Sequence, residues 1–413
     1  MHKAFTLIHR YVGLTMTIFL VIVGLTGSTV AFYRELDGWL NPQLLTVQER
    51  GQSPLDVLAL REQVERSDPR IRIDYPSLHR EPGESLDFTV QARADSKTQR
   101  AYDLGFTDIY LNPYTGAIIG KRDWGRASLD KEHLLPFLYR LHYSLALPKW
   151  LDDTTRGFSI GGYLLGVVAL LWTFDCFIGL YLTLPRWRRE PGAPARRSWW
   201  RRWQPAWLIK YSRFNYDLHR ACGLWVWAML FVFAWSSVAF NLNEVYSPAM
   251  HAAFRFRGEL PPLATPLESP RLSFVAARAA ARELMSRMAR KRGFEIQREE
   301  QLSLDRTHGV YFYAVRSSAD SGRWGTTSLS IDANTGVLRA EQWPGNERAG
   351  DTIGRWITLL HMAAVFGLPM QILVGATGVT VVVLSVTGAV IWWRKSGSRS
   401  RGRAALGRPR LDP

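Results

Sequence analysis

Cysteine is nearly absent from this chain: its 413 residues include only Cys176 and Cys222. Both cysteines fall in apolar stretches, so the sequence excludes a disulfide framework. It also lacks a Cys-x-x-Cys-His motif, which excludes covalent attachment of a haem. No flavin or nicotinamide fingerprint is present either. We therefore expect the chain to carry no reductase module of its own.

Charged residues are missing from four long stretches. A run of about 20 apolar residues is long enough to cross a hydrocarbon core of about 30 Å. Such runs lie at 11–33, 157–184, 221–242 and within 356–393. Only Asp175 interrupts the second run. The fourth is too long for one span and contains Pro369, so it predicts a short helix followed by a span at 370–393.

The first apolar run resembles a signal peptide only superficially. Its apolar core is longer than the roughly 7–15 residues usual for such peptides. It also lacks a small-x-small cleavage site followed by a polar start. We expect it to be a retained membrane anchor.

Basic residues outnumber acidic ones, and a net charge of +16 could indicate a nucleic-acid partner. Two segments hold +13 of that charge: 185–218, with nine Lys and Arg against two acidic residues, and 394–413, with seven against one. Both adjoin span ends, where an excess of Lys and Arg marks the cytoplasmic side. This pattern predicts membrane lipid rather than nucleic acid as the partner, with both termini in the cytoplasm.

The two halves of the chain resemble each other. His9 recurs as His219 in the pattern apolar-His-Arg-x-x-Gly-Leu, 210 residues later. The turn "LNPYTGAIIG" (111–120) recurs as "IDANTGVLRA" (331–340), and "RLHYSLALP" (140–148) recurs as "LLHMAAVFGLP" (359–369). A repeat of this kind predicts an internal duplication. Each half would contain a span, an outer domain, a histidine-bearing helix and a returning span.

Each outer domain has the pattern of an α+β fold. Residues 53–66 and 273–291 have helical periodicity, the first beginning at a Ser-Pro pair. Alternating stretches predict strands with Thr-Gly turns between them. They lie at 85–93, 108–119, 310–318 and 326–340.

These patterns predict an α-helical integral membrane protein with four transmembrane helices and two α+β extracytoplasmic domains. The predicted order is the amino terminus and first span at 1–33, outer domain 1 at 34–131, an interfacial helix and second span at 132–184, a basic cytoplasmic loop at 185–218, the third span at 219–242, outer domain 2 at 243–351, an interfacial helix and fourth span at 352–393, and a basic tail at 394–413.

Four of the nine histidines occupy repeat-related positions at span ends. The predicted topology puts His9 and His219 together on the cytoplasmic side, and His142 and His361 together on the outer side. Neutral imidazole is a strong ligand for iron, and polar groups in membrane segments usually carry function. Two imidazoles facing each other in a helix bundle can hold one haem iron axially. The sequence therefore predicts two non-covalent b-type haems. A lone interfacial histidine would more simply be a polar anchor.

Neighbouring residues suit such a cofactor. Gly13 and Gly223 lie four residues after His9 and His219, on the same helix face, and leave room for a flat porphyrin. Arg10 and Arg220 could pair with haem propionates. Helix packing alone would also explain the glycines, and charge-based anchoring would explain the arginines. Arg140 is a candidate for the same role on the outer side.

The remaining polar candidates have weaker support. His2 is terminal, and His79, His251 and His308 fall in the outer domains and are predicted to be surface residues. His133 lies nine residues before His142, but Thr352 takes its place in the second half, so the repeat does not support it as a ligand. Asp175 lies inside a span, where a carboxylate is a functional candidate. It could belong to a proton path or accept a hydrogen bond from a ligand histidine. The tryptophan runs near 199–207 and 392–393 are most simply interfacial belts.

The ordered motifs resemble a known family. The helix, strand and Thr-Gly turn pattern is similar to the PepSY domain. The His-Arg-x-x-Gly-Leu span start, the paired turns and the "LHxxLxLP" segment resemble the PepSY-associated transmembrane helix family. That family includes iron-regulated membrane proteins and di-haem ferric-siderophore reductases of the FoxB type. The resemblance covers nearly the whole chain.

The resemblance implies an oxidoreductase of the bacterial inner membrane that takes part in iron uptake. Electrons would pass from an unidentified cytoplasmic or membrane donor, through the two haems, to a ferric siderophore or another ferric chelate outside. An alternative is a non-catalytic membrane protein that binds or regulates a peptidase or another envelope partner. The absorption spectrum of the purified protein distinguishes these hypotheses.

Overall fold

A computed structural model of the chain describes residues 1–48, 51, 53–148, 151, 159–184, 203, 211–321 and 327–406. The predicted basic loop at 185–218 and the end of the basic tail lie largely outside these residues.

The described helices follow one another along the chain from the amino terminus to the basic tail. They are α1 (His2–Val30), α2 (Tyr33–Leu40), α3 (Pro42–Leu45), α4 (Val57–Ser67), α5 (Leu134–Ser144), α6 (Ile160–Thr183), α7 (Tyr211–Trp225), α8 (Trp227–Asn241), α9 (Asn243–Ala253), α10 (Phe274–Arg292), α11 (Ala349–His361) and α12 (Leu368–Leu406).

Three of these helices, α1, α6 and α12, contain stretches long and apolar enough to cross a membrane. They form a bundle in which α1 packs along α12, and α6 packs against α1 and α8. The closest backbone approach in the α1–α12 contact uses glycine: a Cβ on Gly24 would lie 2.8 Å from the Gly378 carbonyl oxygen. Small residues allow this close packing between apolar helices.

The third predicted span is broken rather than continuous. The helical segments Phe214–Trp225 and Trp227–Asn241 meet at an angle of 68°, so together they provide a bent apolar pair. The two tryptophans beside the break, Trp225 and Trp227, donate hydrogen bonds to different segments of the chain. The Trp225 indole N–H donates to the Trp203 carbonyl, and that of Trp227 donates to the Cys176 carbonyl. The predicted span at 219–242 therefore corresponds to a bent pair of helices rather than to a single helix.

Nine strands are described. They are β1 (Ile71–Arg72), β2 (Leu86–Thr89), β3 (Gln91–Ala92), β4 (Asp108–Leu111), β5 (Ile118–Arg122), β6 (Ile296–Asp305), β7 (Val310–Ser317), β8 (Thr327–Asp332) and β9 (Leu338–Gln342). All strand pairs are antiparallel, in the orders β1-β3, β2-β4-β5 and β6-β7-β8-β9.

We call α4 with β1–β5 the first sheet unit, and α10 with β6–β9 the second sheet unit. Helix α10 begins at the predicted Ser273, whose hydroxyl accepts the Ala276 N–H. Helix α4 begins later than the predicted Ser-Pro start, because Asp56 is the residue that accepts the N–H groups of Leu58 and Ala59. Strand β6 was not predicted, since its first half is charged and largely exposed.

The two sheet units pack on each other through backbone and charge. The Leu304 N–H donates to the Asp74 carbonyl, and the Leu78 N–H donates to the Glu300 carbonyl. The Arg306 guanidinium pairs with the buried Asp74 carboxylate at 2.8 and 2.9 Å. This bidentate pair, from one unit to the other, fixes their relative register.

A second charge cluster lies beside this interface. Burial opposes ionisation of Glu299, but hydrogen bonds from Arg282, Arg278 and Tyr313 outweigh it and hold the pKa of Glu299 at about 2. Arg278 also pairs with Asp56 of the first sheet unit at 2.6 Å.

Short helices return the chain from each sheet unit to the bundle. Helix α5 packs against α1 and α6, and α11 packs against α8. After α11 the chain breaks at 362–367, with Gly367 at a positive φ of 61°, before α12 begins. The predicted short helix followed by a span near Pro369 describes this arrangement.

Candidate functional site

The structure brings the four span-end histidines together as two pairs. His9 on α1 faces His219 on α7, with ring centroids 6.2 Å apart. His142 on α5 faces His361 on α11, with ring centroids 6.4 Å apart. Each pair combines one histidine from each half of the chain, which is the pairing that the repeat predicts.

Asp175 on α6 is the partner of His9. The two carboxylate oxygens lie 2.9 and 3.0 Å from Nδ1 of His9, and Asp175 is buried. A carboxylate accepts but cannot donate, so His9 carries its hydrogen on Nδ1.

Hydroxyl groups occupy the same position at the other three histidines. Thr387 lies 2.9 Å from Nδ1 of His219, Thr26 lies 3.1 Å from Nδ1 of His142, and Ser236 lies 2.5 Å from Nδ1 of His361. Each hydroxyl also donates to a backbone carbonyl four residues earlier in its own helix. A hydroxyl has one hydrogen, so it must accept from the histidine.

All four imidazoles therefore carry their hydrogen on Nδ1 and donate it to an acceptor on a neighbouring helix. Within the described residues, the side-chain hydrogen bonds of all four rings are made by Nδ1, and none is made by Nε2. A second residue that binds one ring nitrogen and leaves the other bare is the usual arrangement around a metal-binding histidine.

The spacing fits one metal ion between each pair. Imidazole nitrogen binds a first-row metal at about 2 Å, so two imidazoles on opposite sides of one ion have ring centres about 6 Å apart. In the part of the chain that the structure describes, no group of three or more His, Cys, Asp or Glu side chains is arranged to hold a metal ion. A two-histidine site suits a metal whose other ligands belong to its own organic ring, as in haem.

A cavity of about 670 Å³ surrounds the His9–His219 pair. It lies within the range of about 300–1,000 Å³ that ligand pockets occupy. Gly13 and Gly223 both line it. A Cβ on Gly13 would meet no atom within 4 Å, and one on Gly223 would meet only Leu384, at 3.7 Å. Both glycines therefore leave open space beside the imidazoles, as expected for a flat ligand.

The predicted arginines differ in their surroundings. Arg10 and Arg220 line the same cavity. Arg220 pairs with Asp217 at 3.0 Å, whereas no partner of Arg10 is found within the described residues. Arg10 is thus the better placed of the two to bind an acidic group of a ligand. Arg140 donates to the carbonyls of Gly125 and Leu147, which accounts for its guanidinium without a ligand.

The His142–His361 pair is packed differently. The His361 ring contacts Phe233 and Phe240, with centroids 5.0 and 5.3 Å away. His142 rests on Gly27 of α1, where an added Cβ would lie only 2.8 Å from its Cε1 atom. This glycine is required for the imidazole to approach α1.

The two pairs lie at opposite ends of the bundle. On α1, His9 belongs to one pair, and Thr26, which binds His142, belongs to the other. Seventeen residues of helix separate them, which corresponds to about 25 Å at 1.5 Å per residue. One metal ion cannot bridge both pairs.

Other sequence candidates do not join either pair. His133 contacts Asp130, His308 contacts Asp305, and His79 contacts Glu81, all within three residues. His251 contacts Ser247 and stacks on Phe256. The sequence offered two roles for Asp175, a proton path or a hydrogen bond to a ligand histidine. The structure has the hydrogen bond, to His9.

Sequence reasoning missed the hydroxyl partners Thr26, Ser236 and Thr387. A signal for the first two was available, because Thr26 and Ser236 are separated by 210 residues, the same offset that relates His9 to His219. Thr387 follows no such offset from Asp175, so only the packing of α12 against α7 reveals it.

The apolar bundle defines an integral membrane protein. The model of the PepSY-associated TM region matches residues 6–395. The chain belongs to this family, as its motifs predicted. No curated protein matches the chain.

Proposed function

We propose that this chain is a di-haem b electron-transfer protein that spans the bacterial inner membrane and reduces a ferric chelate outside the cytoplasm. The observation that carries the proposal is the pair of facing imidazoles at each end of the bundle. Their separations of 6.2 and 6.4 Å and their bare Nε2 atoms fit axial ligation of one haem iron at each site.

The residues divide the work of holding the cofactors. His9 with His219, and His142 with His361, would supply the axial nitrogens. Asp175, Thr387, Thr26 and Ser236 orient these rings through Nδ1. Arg10 and Arg220 line the first cavity and would pair with propionate groups. The haem itself supplies reversible one-electron chemistry of iron.

Apolar packing joins the two sites. The side chain of Trp172 on α6 contacts the apolar cluster that contains Met16 and Leu20, and also the cluster that contains Met370 and Val374. The first cluster adjoins the His9–His219 end of the bundle and the second adjoins the other end. Apolar side chains thus occupy the region between the sites, which suits transfer of an electron without a proton.

The orientation follows from charge. The basic segments at 185–218 and 394–413 favour a cytoplasmic location for both termini, with the bent α7–α8 pair serving as a fourth span. The His9–His219 site would then receive electrons from a cytoplasmic or membrane donor. The His142–His361 site would face the two sheet units, which we propose to be duplicated PepSY domains outside the cytoplasm.

The acceptor is proposed to be a ferric siderophore. Hard oxygen chelators hold Fe³⁺ strongly, and one electron converts it to Fe²⁺, which they hold weakly. The proposal rests on the family resemblance and on the position of the outer histidine pair next to the sheet units.

Stopped-flow mixing tests this function. Purified protein reduced under anaerobic conditions would be mixed with a ferric hydroxamate siderophore and an Fe²⁺-specific chelator. We expect the haem to reoxidise as the Fe²⁺ complex appears, one Fe²⁺ per electron. Reoxidation by a quinone but by no ferric chelate would disprove the substrate. A colourless protein without haem would instead support the regulatory alternative.

A further inference from the structure

The four Nδ1 partners are not alike. Three are neutral hydroxyls, and one, Asp175, is a carboxylate. This difference breaks the repeat symmetry of the chain, since Thr387 takes the corresponding position beside His219. The His9–His219 site therefore contains one formally anionic partner, whereas the His142–His361 site contains none.

The charge of Asp175 is directed at His9. Its two oxygens are within 3.0 Å of Nδ1, and these are its only hydrogen bonds within the described residues. The carboxylate is buried on α6. Lys3, Arg10, Arg220 and Lys395 also line this cavity, but no ion pair joins any of them to Asp175 in that part of the chain.

A carboxylate at Nδ1 makes an imidazole a stronger electron donor. It draws the Nδ1 hydrogen towards itself and raises the basicity of Nε2. A stronger donor favours ferric over ferrous iron, which lowers the reduction potential of the site. A neutral hydroxyl acts in the same direction but more weakly. In a buried site, the negative charge adds to the effect, because it is poorly screened.

We propose that Asp175 is a positioning residue that makes the His9–His219 site the lower in reduction potential of the two. This inference rests on the proposed function. With haem bound at both sites, this difference would favour the transfer of one electron from the His9–His219 site to the His142–His361 site. No bond breaks and no proton moves in this step.

Spectroelectrochemical titration of the purified haem-loaded protein tests the inference. The unaltered protein should show two midpoint potentials. Asp175→Asn keeps the size of the side chain and removes its charge. It should raise the lower potential so that the ferrous-to-ferric ratio at a fixed potential changes at least tenfold, or about 59 mV for one electron. The higher potential should stay unchanged. Asp175→Glu, which keeps the charge, should restore most of the difference.

A substitution that adds a charge tests the same inference if Asp175→Asn fails to bind haem. Thr387→Asp adds a second carboxylate beside His219 and should lower the same potential further. His142→Ala, in which only the first site is expected to remain, assigns each midpoint to its site.

The outcomes separate the two claims. If both haems are bound and the lower potential changes in neither Asp175→Asn nor Thr387→Asp, this inference is wrong. The proposed function is then unaffected. A shift of the higher potential alone overturns the inference as well. A chain that binds no haem overturns the proposed function together with the inference.

Discussion

The two histidine pairs share a ligand geometry but differ in their surroundings. Both place imidazoles slightly more than 6 Å apart, and both fix Nδ1 by an acceptor on another helix. The His9–His219 pair has a buried carboxylate and a cavity bordered by basic residues. The His142–His361 pair has hydroxyl acceptors and close contacts with Gly27, Phe233 and Phe240.

This difference shows that two sites built from the same repeated histidine positions can differ in charge and packing. The repeat sets where the imidazoles lie, because they sit at the same points of each half. The side chains that accept from Nδ1 also come from corresponding helices of the two halves, but one of the four, Asp175, is a carboxylate where the others are hydroxyls. Ligation and electrostatic tuning are thus separable, and substitutions can test them separately.

The largest effect should come from removing a ligand. We expect His9→Ala or His219→Ala to lose one haem, and His142→Ala or His361→Ala to lose the other, because the pairs lie about 25 Å apart along α1. Haem content and the α-band of each variant measure this. His133→Ala is a matched control, since the His133 ring hydrogen-bonds to Asp130 and joins neither histidine pair, and it should keep both haems.

One result would break the pairing outright. If His9→Ala and His142→Ala removed the same spectral species and left the other, the two histidines would share a site.

Gly27→Ala should affect only the second pair. The new methyl group would lie 2.8 Å from Cε1 of His142, so the imidazole must move away from α1 and out of its present position opposite His361. We expect loss of most of the haem at that site and little change at the His9–His219 site. Gly38→Ala is the control, because a Cβ there meets nothing within 4 Å. Equal haem content in both variants would contradict the packing argument.

Removing a hydroxyl acceptor should have a smaller effect. Thr26→Val and Ser236→Ala each remove the hydroxyl that accepts a hydrogen bond from a buried imidazole and should weaken haem binding at the second site about 10- to 100-fold. Competitive transfer of haem to an apo-haem acceptor protein measures the change. Thr173→Val, whose hydroxyl donates only to the Ala169 carbonyl, should bind both haems normally. Weakening at the first site instead would reverse the assignment.

The smallest effect on either histidine pair should come from the sheet units. Asp74→Asn removes the buried carboxylate that Arg306 contacts from the other unit. Arg306 would keep its hydrogen bonds to the Leu267 and Glu268 carbonyls, so loss of the ion pair should cost about 2 kcal/mol of stability in this interface. Both midpoint potentials should remain unchanged, since the pairs depend on the bundle. Limited proteolysis reports the loosening, with the exposed Asp103→Asn as control. A shifted potential would show that the sheet units also tune the sites.

The sequence predicted which histidines pair because the motifs around them recur in the second half, at offsets of 210 residues for His9 and 219 residues for His142. It also predicted helix α10 from its helical periodicity and the break before α12 from Pro369. It failed where tertiary contacts decide the outcome. The bend at Val226 has no proline to mark it, and Thr387 reaches His219 only because α12 and α7 pack together. Strand β6 carries too many charged residues to show a clear alternation.

The most direct test of the account is the haem-to-chain ratio of the purified protein. A pyridine haemochrome assay, combined with protein quantification by amino-acid analysis, measures it on the detergent-solubilised chain. The account predicts two b-type haems per chain, with a low-spin spectrum in the reduced state because each iron has two imidazole ligands. A fully folded chain that holds no haem, even after supplementation with haem during expression, would contradict it.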